Sequence, residues 1–393
     1  MTEVTQKAVV GVIGAGAMGS GIAHVAALHG HRVVLADAAE GAVDRARSNV
    51  ARALAREVEK GRLSADHAAA TLDRITPSPN GAPDLAPCDI VIETVVERLD
   101  VKLEVMRALE MAVPDDTLLA TNTSSLSIAS IAGGCRRPER VVGMHFFNPA
   151  TSMPLVEIVA GARTEPAVGA RVKRLAEEWG KTVVLAKDTP GFIVNRIARP
   201  FYGEAIRIAE EGIATPATID WAMKTLGGFR MGPFELMDFI GHDVNYVVTE
   251  TVWRAMYFDA RYRPSIVQQR LLEAGLLGRK AGRGFYDYAA GSVAPAPTQD
   301  PSLGASIFSR VLAMLINEAV DALYLQVATA DAIDVAMTKG MNYPKGLLAW
   351  GEAIGWAQIL ATLDALRTEY GEERYRASVL LRRLARDGTR ISR

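Results

Sequence analysis

Over the first half of this chain, short and mostly apolar segments alternate with longer segments whose apolar residues have helical spacing. Segments at residues 8–13, 89–93, 118–121 and 141–145 have the continuous apolar character of buried parallel strands. Apolar residues at three- and four-residue spacing, notably over 42–60, predict helices between them. The alternation predicts a two-layer α/β domain that reaches to about Lys187.

A strand, a glycine turn and a helix follow one another directly at the start of this domain. In a dinucleotide-binding βαβ unit, Gly14 would make the tight turn, Gly16 would let the backbone approach a pyrophosphate, and Gly19 would let the helix pack closely. We therefore expect a Rossmann-type doubly wound sheet. The candidate cofactor-binding residues of the turn are Gly14, Gly16, Ala17, Met18 and Gly19.

The acid that ends the second strand, at residues 32–37, bears on the choice of cofactor. Asp37 lies about 20 residues beyond the glycines, where a carboxylate can bond the adenosine ribose hydroxyls and repel the 2′-phosphate of NADP. Ala38 and Ala39 supply no positive charge for that phosphate. NAD is therefore the expected cofactor. The alternative is that Asp37 is only a turn residue at the end of the strand.

The pattern becomes helical after Asp188, and it then repeats. Residues 196–241 align without gaps with a segment 114 positions later, so that Glu204 corresponds to Glu318 and Asp220 to Asp334. This predicts a tandem duplication of an all-helical domain, with a linker at 289–301. The expected domains are 1–188 (NAD-binding), 189–290 (helical) and 291–393 (a second, degenerate helical copy).

Composition and charge narrow the class of protein. The chain has 393 residues, 49% of them hydrophobic and 23% charged, which indicates a globular protein of two or three domains. A net charge of -1 gives no basic field for nucleic acid or an anionic membrane, and neither is an expected partner. Cys88 and Cys135 are the only cysteines, which fits a reducing compartment and argues against a thiolate metal site; we expect no metal.

The segment from Thr121 to Glu157 has the character of an acid/base site. It sets Ser124, His145 and Glu157 among apolar neighbours, and an imidazole already titrates near neutral pH. Asn122, Ser124 and His145 lie at the carboxyl ends of expected parallel strands, where such sheets bind ligands. The simpler alternative is a half-buried histidine that only packs.

Four ordered segments resemble the L-3-hydroxyacyl-CoA dehydrogenase family of fatty-acid and aromatic-acid degradation. They are Thr-Asn-Thr-Ser-Ser-Leu at 121–126, His-Phe-Phe-Asn-Pro at 145–149, Lys-Asp-Thr-Pro-Gly-Phe-Ile-Val-Asn-Arg at 187–196 and Met-Gly-Pro-Phe-Glu-Leu at 231–236. The duplicated tail is similar to forms with two C-terminal domains, including 3-hydroxybutyryl-CoA and 3-hydroxyadipyl-CoA enzymes. The resemblance implies reversible, NAD-dependent oxidation of (S)-3-hydroxyacyl-CoA to 3-oxoacyl-CoA, with a short-chain or dicarboxylic acyl group.

The resemblance also implies roles for individual residues. His145 would be the catalytic base and Glu157 its partner, while Ser124 and Asn195 would bond the reacting oxygen of the substrate. The residues implied to touch NAD are Asp37, Glu97, Lys102, Asn148 and Lys280, and Lys60 would lie near the CoA phosphates.

Simpler explanations stay open for several of these residues. Glu97 and Lys102 could belong to a solvated helix start, Ser124 could cap a helix, and Asn195 could bond only backbone. Lys60 could be an ordinary helix end, and Lys280 an ordinary loop charge.

Two other functions compete with this interpretation. A β-hydroxyacid dehydrogenase acting on free acids would use a lysine base, and the pairing of His145 with Glu157 speaks against it. A non-catalytic NAD-binding structural protein would have little reason to keep the candidate site residues. For assembly we expect a homodimer or an intrachain pseudo-dimer of the helical copies. The first residues lack the pattern of a signal peptide, so a cytoplasmic enzyme is expected.

Overall fold

The computed structural model describes residues 7–79 and 81–391. The chain divides into two compact units, one ending at Asp188 and the other beginning at Thr189.

The first unit contains one eight-stranded sheet. Its strands are β1 (Val10–Ile13), β2 (Val33–Ala36), β3 (Ile75–Pro77), β4 (Ile90–Glu93), β5 (Leu118–Thr121), β6 (Val141–Phe146), β7 (Leu155–Ala160) and β8 (Thr182–Lys187). Their spatial order is β3-β2-β1-β4-β5-β6-β7-β8, and β1 to β6 are parallel. An order of 3-2-1-4-5-6 is that of the doubly wound dinucleotide-binding sheet, as the sequence predicted.

Helices cover both faces of this sheet. They are α1 (Ala17–Leu28), α2 (Ala42–Glu59), α3 (Ala65–Asp73), α4 (Leu99–Ala112), α5 (Ile128–Ala132) and α6 (Pro166–Glu178). One apolar core contains Ile22 of α1 and Val172 of α6, and a second contains Met106 of α4 and Ile131 of α5. The expectation of two layers is therefore wrong: parallel strands that are apolar on both faces need a layer of helices on each.

The last two strands depart from the parallel pattern. β7 runs antiparallel to β6, and β8 runs parallel to β7. Residues 147–154, between β6 and β7, are too few for the crossover that a parallel pair requires. The resulting hairpin places His145 directly opposite Glu157.

The second unit is helical. Its helices are α7 (Val194–Ile197), α8 (Arg199–Glu210), α9 (Pro216–Gly227), α10 (Pro233–Ile240), α11 (His242–Ala255), α12 (Ile266–Glu273), α13 (Pro301–Tyr324), α14 (Ala330–Gly340), α15 (Leu347–Ile354), α16 (Trp356–Tyr370) and α17 (Val379–Asp387). The helical pattern that the sequence shows after Asp188 begins with two helices, α7 and α8. Pro200 lies in the first turn of α8, where its missing N–H costs no helical hydrogen bond.

The repeat seen in the sequence extends to side-chain contacts. The Asp220 carboxylate accepts hydrogen bonds from two amides in the first turn of α10, and Asp334 accepts the corresponding two bonds in α15. Thr215 and Thr329 cap α9 and α14 in the same way. The helical fold therefore occurs twice in tandem, and the linker expected at 289–301 ends where α13 begins.

Buried ion pairs join the two helical copies reciprocally. Arg196 Nε lies 2.6 Å from Glu318 Oε1, and Arg310 Nε lies 3.1 Å from Glu204 Oε2. Arg196 and Arg310 are equivalent positions of the repeat, as are Glu204 and Glu318. Each copy thus supplies an arginine to the glutamate of the other, which is the pattern of contacts across a two-fold interface.

The central helix of the second copy is strongly apolar. Among the described helices, α13 is the one long and apolar enough to cross a membrane by length and composition, but 72% of its apolar window is buried inside the protein. Its apolar surface packs against α8 and α9. That burial accounts for its composition.

Candidate active site

The glycine turn lies between the end of β1 and the start of α1. Gly14 has a φ of 100°, in the left-handed region that favours glycine. A Cβ on Gly19 would lie 1.8 Å from the Gly14 carbonyl oxygen, so the helix packs directly on the turn. A Cβ on Gly16, the N-cap of α1, would meet no atom within 4 Å and would project into open space. This turn fits a pyrophosphate, which needs helix N-terminal amides that no side chain covers.

Asp37 lies beside the glycine turn, one residue beyond β2. Its Oδ2 accepts a hydrogen bond from the amide of Ala15 at 2.6 Å, and its Oδ1 accepts one from the amide of Ala39 at 2.8 Å. These bonds fix a half-buried carboxylate next to the glycine turn. The position suits contact with the adenosine ribose of NAD.

His145 and Glu157 form a buried pair on β6 and β7. The imidazole Nδ1 lies 2.7 Å from Glu157 Oε2, and the residues are 5% and 0% exposed. Because a carboxylate only accepts hydrogen bonds, Nδ1 is the donor in this contact, and Nε2 is the ring nitrogen that the contact does not use. The ring also packs against Phe147, with 4.5 Å between centroids. A histidine oriented by a carboxylate in this way is arranged to accept a proton.

Ser124 lies in the loop between β5 and α5, and that loop is organised by Glu97. Glu97 Oε1 accepts hydrogen bonds from the Thr123 hydroxyl at 2.7 Å, the Ser124 amide at 2.8 Å and the Ser125 amide at 3.1 Å. The N-cap of α5 is Ser127 and not Ser124, so the capping alternative for Ser124 is wrong.

Lys102 is not part of a solvated helix start. It is 1% exposed, and its Nζ lies 2.8 Å from Glu93 Oε1 and 3.3 Å from Glu97 Oε2. Partial burial raises the pKa of Glu97, but the Lys102 ammonium and the hydrogen bonds from Thr123 and Ser124 outweigh it and lower that pKa below its usual range. Glu97 is therefore held as a carboxylate.

The other candidate residues of the first unit lie at its surface. Asn148 is exposed in the hairpin loop between β6 and β7, and Lys60 is exposed at the C-terminal end of α2. Lys60 Nζ lies 3.1 Å from Glu57 Oε1, a pair that leaves the ammonium accessible to an anion.

Asn195 and Lys280 belong to the second unit. Asn195 is half-buried in α7, and its backbone carbonyl accepts a hydrogen bond from Arg199 Nε at 2.7 Å. Lys280 lies in a short helical turn and forms a 2.5 Å ion pair with Asp243.

Three residues of the first unit were not singled out in the sequence. Thr94 donates a hydrogen bond to the Gly14 carbonyl oxygen at 2.8 Å and so fixes the glycine turn. Glu93 pairs with Lys102, and the Asp188 carboxylate accepts hydrogen bonds from two amides at the start of α5. Glu93 and Thr94 could have been found from their place at the carboxyl end of β4, next to β1, where such sheets bind ligands. Asp188 lies in the family-like segment 187–196, but the sequence assigned it no role.

Comparison with protein families identifies the class. The family model described as the 3-hydroxyacyl-CoA dehydrogenase NAD binding domain matches residues 9–189. The model of that family's C-terminal domain matches twice, at residues 191–288 and 307–390. The chain belongs to the 3-hydroxyacyl-CoA dehydrogenase family, and it is an NAD-dependent oxidoreductase.

Individual relatives match along most of the chain. A 3-hydroxyadipyl-CoA dehydrogenase from Escherichia coli is 39% identical over 461 aligned positions, which cover 96% of this chain and 97% of the relative. A 3-hydroxybutyryl-CoA dehydrogenase from Bradyrhizobium diazoefficiens is 41% identical over 76% of this chain and 100% of its own length. The crystal structure of a 3-hydroxybutyryl-CoA dehydrogenase from Escherichia coli superposes with a TM-score of 0.90, at 39% identity, over 97% of this chain and 98% of that one.

Proposed function

We propose that this enzyme oxidises the (S)-3-hydroxyl group of short-chain or dicarboxylic acyl-CoA thioesters to a 3-oxo group, reversibly and with NAD. The observation that carries the proposal is the buried His145–Glu157 pair, with 2.7 Å between Nδ1 and Oε2, inside the NAD-binding domain of this family. The acyl classes follow from relatives named for 3-hydroxybutyryl-CoA and 3-hydroxyadipyl-CoA.

In this proposal His145 is the general base. Oxidation of a secondary alcohol removes a proton from oxygen and a hydride from carbon, and bound NAD supplies the hydride acceptor. His145 Nε2 takes the hydroxyl proton, while the Nδ1 proton stays hydrogen-bonded to Glu157. The Glu157 carboxylate then stabilises the imidazolium that forms and keeps the ring in one orientation.

Ser124 and Asn195 are proposed to donate hydrogen bonds to the reacting oxygen. Charge develops on that oxygen as its proton leaves, and donors fixed in advance stabilise such charge without reorganising. The amide and the hydroxyl of Ser124 both donate to Glu97 Oε1, at 2.8 and 3.2 Å, so the backbone is fixed and the hydroxyl would turn from Glu97 to the substrate oxygen. Loss of one donor of this kind typically costs about 2.7 to 4 kcal/mol in the barrier.

The remaining candidate residues are proposed to bind the two large ligands. The glycine turn and Asp37 hold the adenosine diphosphate part of NAD, and Glu97, Lys102, Asn148 and Lys280 complete the cofactor contacts. The exposed ammonium of Lys60 meets the CoA phosphates.

A spectrophotometric assay of NADH tests the proposed function. We expect acetoacetyl-CoA to be reduced and 3-hydroxybutyryl-CoA or 3-hydroxyadipyl-CoA to be oxidised with kcat/KM values above those of longer acyl chains. The free acids serve as the control, since they share the alcohol but lack CoA. Activity on free acids and none on thioesters would overturn the proposal.

The reciprocal ion pairs support a proposal about assembly: the helical copies form a pseudo-dimer within one chain, bounded near residues 189–290 and 291–393. A chain truncated after residue 290 would leave Arg196 without its Glu318 partner. Sedimentation and thermal unfolding of that truncated chain should show self-association or marked loss of stability. A stable monomer would contradict the pseudo-dimer. For the intact enzyme we propose a cytoplasmic location.

A further inference from the structure

Lys102 is the centre of a buried charge network at the carboxyl end of β4. Its ammonium contacts the Glu93 carboxylate at 2.8 Å, the Glu97 carboxylate at 3.3 Å and the Val95 carbonyl oxygen at 3.4 Å. The side chain is 1% exposed, so these protein oxygens, and not solvent, surround the charge.

Each carboxylate of the network also holds a second element. Glu93 Oε2 accepts a hydrogen bond from the hydroxyl of Thr121, the last residue of β5, at 2.6 Å. Glu97 Oε1 accepts the hydrogen bonds from Thr123 and from the amides of Ser124 and Ser125 described above. The network therefore links α4, through Lys102, to both ends of the segment that leads into Ser124.

The balance of charge explains why a lysine lies at this position. Glu93 is completely buried, and an unpaired carboxylate in that place would carry a large desolvation cost. Without a cation between them, Glu93 and Glu97 would be like charges in a poorly solvated site, and their repulsion would favour displacement or protonation of Glu97. A protonated or displaced Glu97 would be a weaker acceptor for the amides of residues 124 and 125.

We propose that Lys102 is a positioning residue, which holds the Glu97 carboxylate against residues 123–125 with Glu93 as its anchor and thereby fixes the place of Ser124, whose amide and hydroxyl both donate to Glu97. The proposal rests on the role of Ser124 in the proposed function. It gives Lys102 a structural task in addition to the cofactor contact that the family resemblance implies, because the ammonium contacts two carboxylates and a carbonyl oxygen.

Three variants and one control test this assignment. Lys102→Gln removes the cation, Glu93→Gln removes its buried anchor, and the double variant removes both charges while keeping similar volumes. Glu104→Gln, at an exposed position of the same helix, is the matched control. Two measurements are made on each: steady-state kcat and KM with acetoacetyl-CoA and NADH, and amide hydrogen exchange at residues 124 and 125 in the ligand-free protein.

We expect Lys102→Gln to lower kcat by about 10-fold or more, although by less than the removal of an oxyanion donor would lower it. We also expect faster amide hydrogen exchange at residues 124 and 125. Adding Glu93→Gln should recover most of both losses, because the uncompensated buried charge has been removed. The control should match the wild type. If Lys102→Gln alone does not fold, the double variant carries the test, with near wild-type kcat and exchange as the supporting result.

A double variant as impaired as Lys102→Gln would show that Lys102 acts directly, and the proposal would be wrong. Wild-type kcat and exchange in Lys102→Gln would also refute it. Failure of the proposed function is distinguishable: a wild-type protein inactive on 3-hydroxyacyl-CoA would refute that function, whereas the exchange measurements would still decide whether Lys102 orders the loop.

Discussion

His145 and Glu157 are register partners on the antiparallel strands β6 and β7, and their side chains meet at 2.7 Å. Replacing His145 by Gln removes the proposed base but keeps a polar side chain of similar size. We expect kcat to fall by about 10²- to 10⁴-fold, the usual contribution of general base catalysis. NADH affinity, measured by fluorescence titration, should stay within a factor of about two. Near-normal turnover would remove His145 from the mechanism.

Replacing Glu157 by Gln tests the other half of the pair. The amide cannot offset the positive charge of the imidazolium, so we expect a large drop in kcat with little change in KM for either substrate. Glu165→Gln, at an exposed helix start in the same unit, is a suitable control. If Glu157→Gln turned over at the wild-type rate, Glu157 would be only a structural partner of the histidine.

Asp37→Asn should alter the choice between NAD and NADP. The carboxylate is fixed by two backbone amides beside the glycine turn, and its charge would repel the 2′-phosphate of NADP. A hydrogen bond to a charged group contributes about 1.5 to 3 kcal/mol, so we expect NAD affinity to fall by about 10-fold or more. The ratio of kcat/KM for the two cofactors measures the effect, with Glu40→Gln as the exposed control. An unchanged ratio would exclude Asp37 from the ribose site.

Glu204→Gln and Glu318→Gln should each destabilise the protein strongly. Glu204 is 1% exposed, Glu318 is 0% exposed, and both accept a hydrogen bond from a buried tyrosine hydroxyl as well as pairing with arginine. Removing one partner of a buried ion pair leaves the other charge uncompensated, which costs about 3 to 5 kcal/mol. Glu250→Gln breaks a more exposed pair and should cost about 1 kcal/mol or less. Urea unfolding measures all three, and similar small values for all would contradict the importance of the reciprocal pairs.

Tyr257→Gly should stabilise the protein. Tyr257 is 93% exposed and has a φ of 52°, whereas the shorter turn that follows α16 in the second copy uses Gly371 in this region, with a φ of 65°. A left-handed conformation costs a residue with a side chain about 1 to 2 kcal/mol, and glycine removes this cost. Part of the gain is offset because glycine also increases the conformational entropy of the unfolded chain. We expect a net gain of about 0.5 to 1 kcal/mol in urea unfolding. Gly371→Ala is the reverse test, and a loss of stability in Tyr257→Gly would mean that the aromatic ring makes a stabilising contact.

The strands of the doubly wound sheet were predictable because each is a local pattern. Leu118–Thr121 has the predicted bounds of β5, and β1, β2, β4 and β6 differ from prediction by one or two residues at their ends. The antiparallel direction of β7 was not predictable in the same way. Strand direction depends on how the chain returns to the sheet, and an apolar run is similar in either direction.

The candidate site likewise contains residues that the sequence identified and residues that it did not. The glycine turn, Asp37, His145 and Glu157 are recognisable because their spacing in the chain follows from short elements of regular structure. The burial of Lys102 was not recognisable, because a lysine that follows acids at a helix start is typical of a solvated surface. Glu93, which pairs with it, lies on a different element.

The order of residues by itself determined the βαβ opening, the doubly wound sheet and the tandem helical repeat, since these depend on periodicity and spacing along the chain. The roles of the catalytic candidates followed from the resemblance of four short segments to a known family. Only the tertiary structure decided that His145 faces Glu157, that Lys102 joins two carboxylates under the Ser124 loop, and that each helical copy supplies an arginine to the other. These contacts join residues on separate strands and helices, and their geometry exists only when the elements pack together.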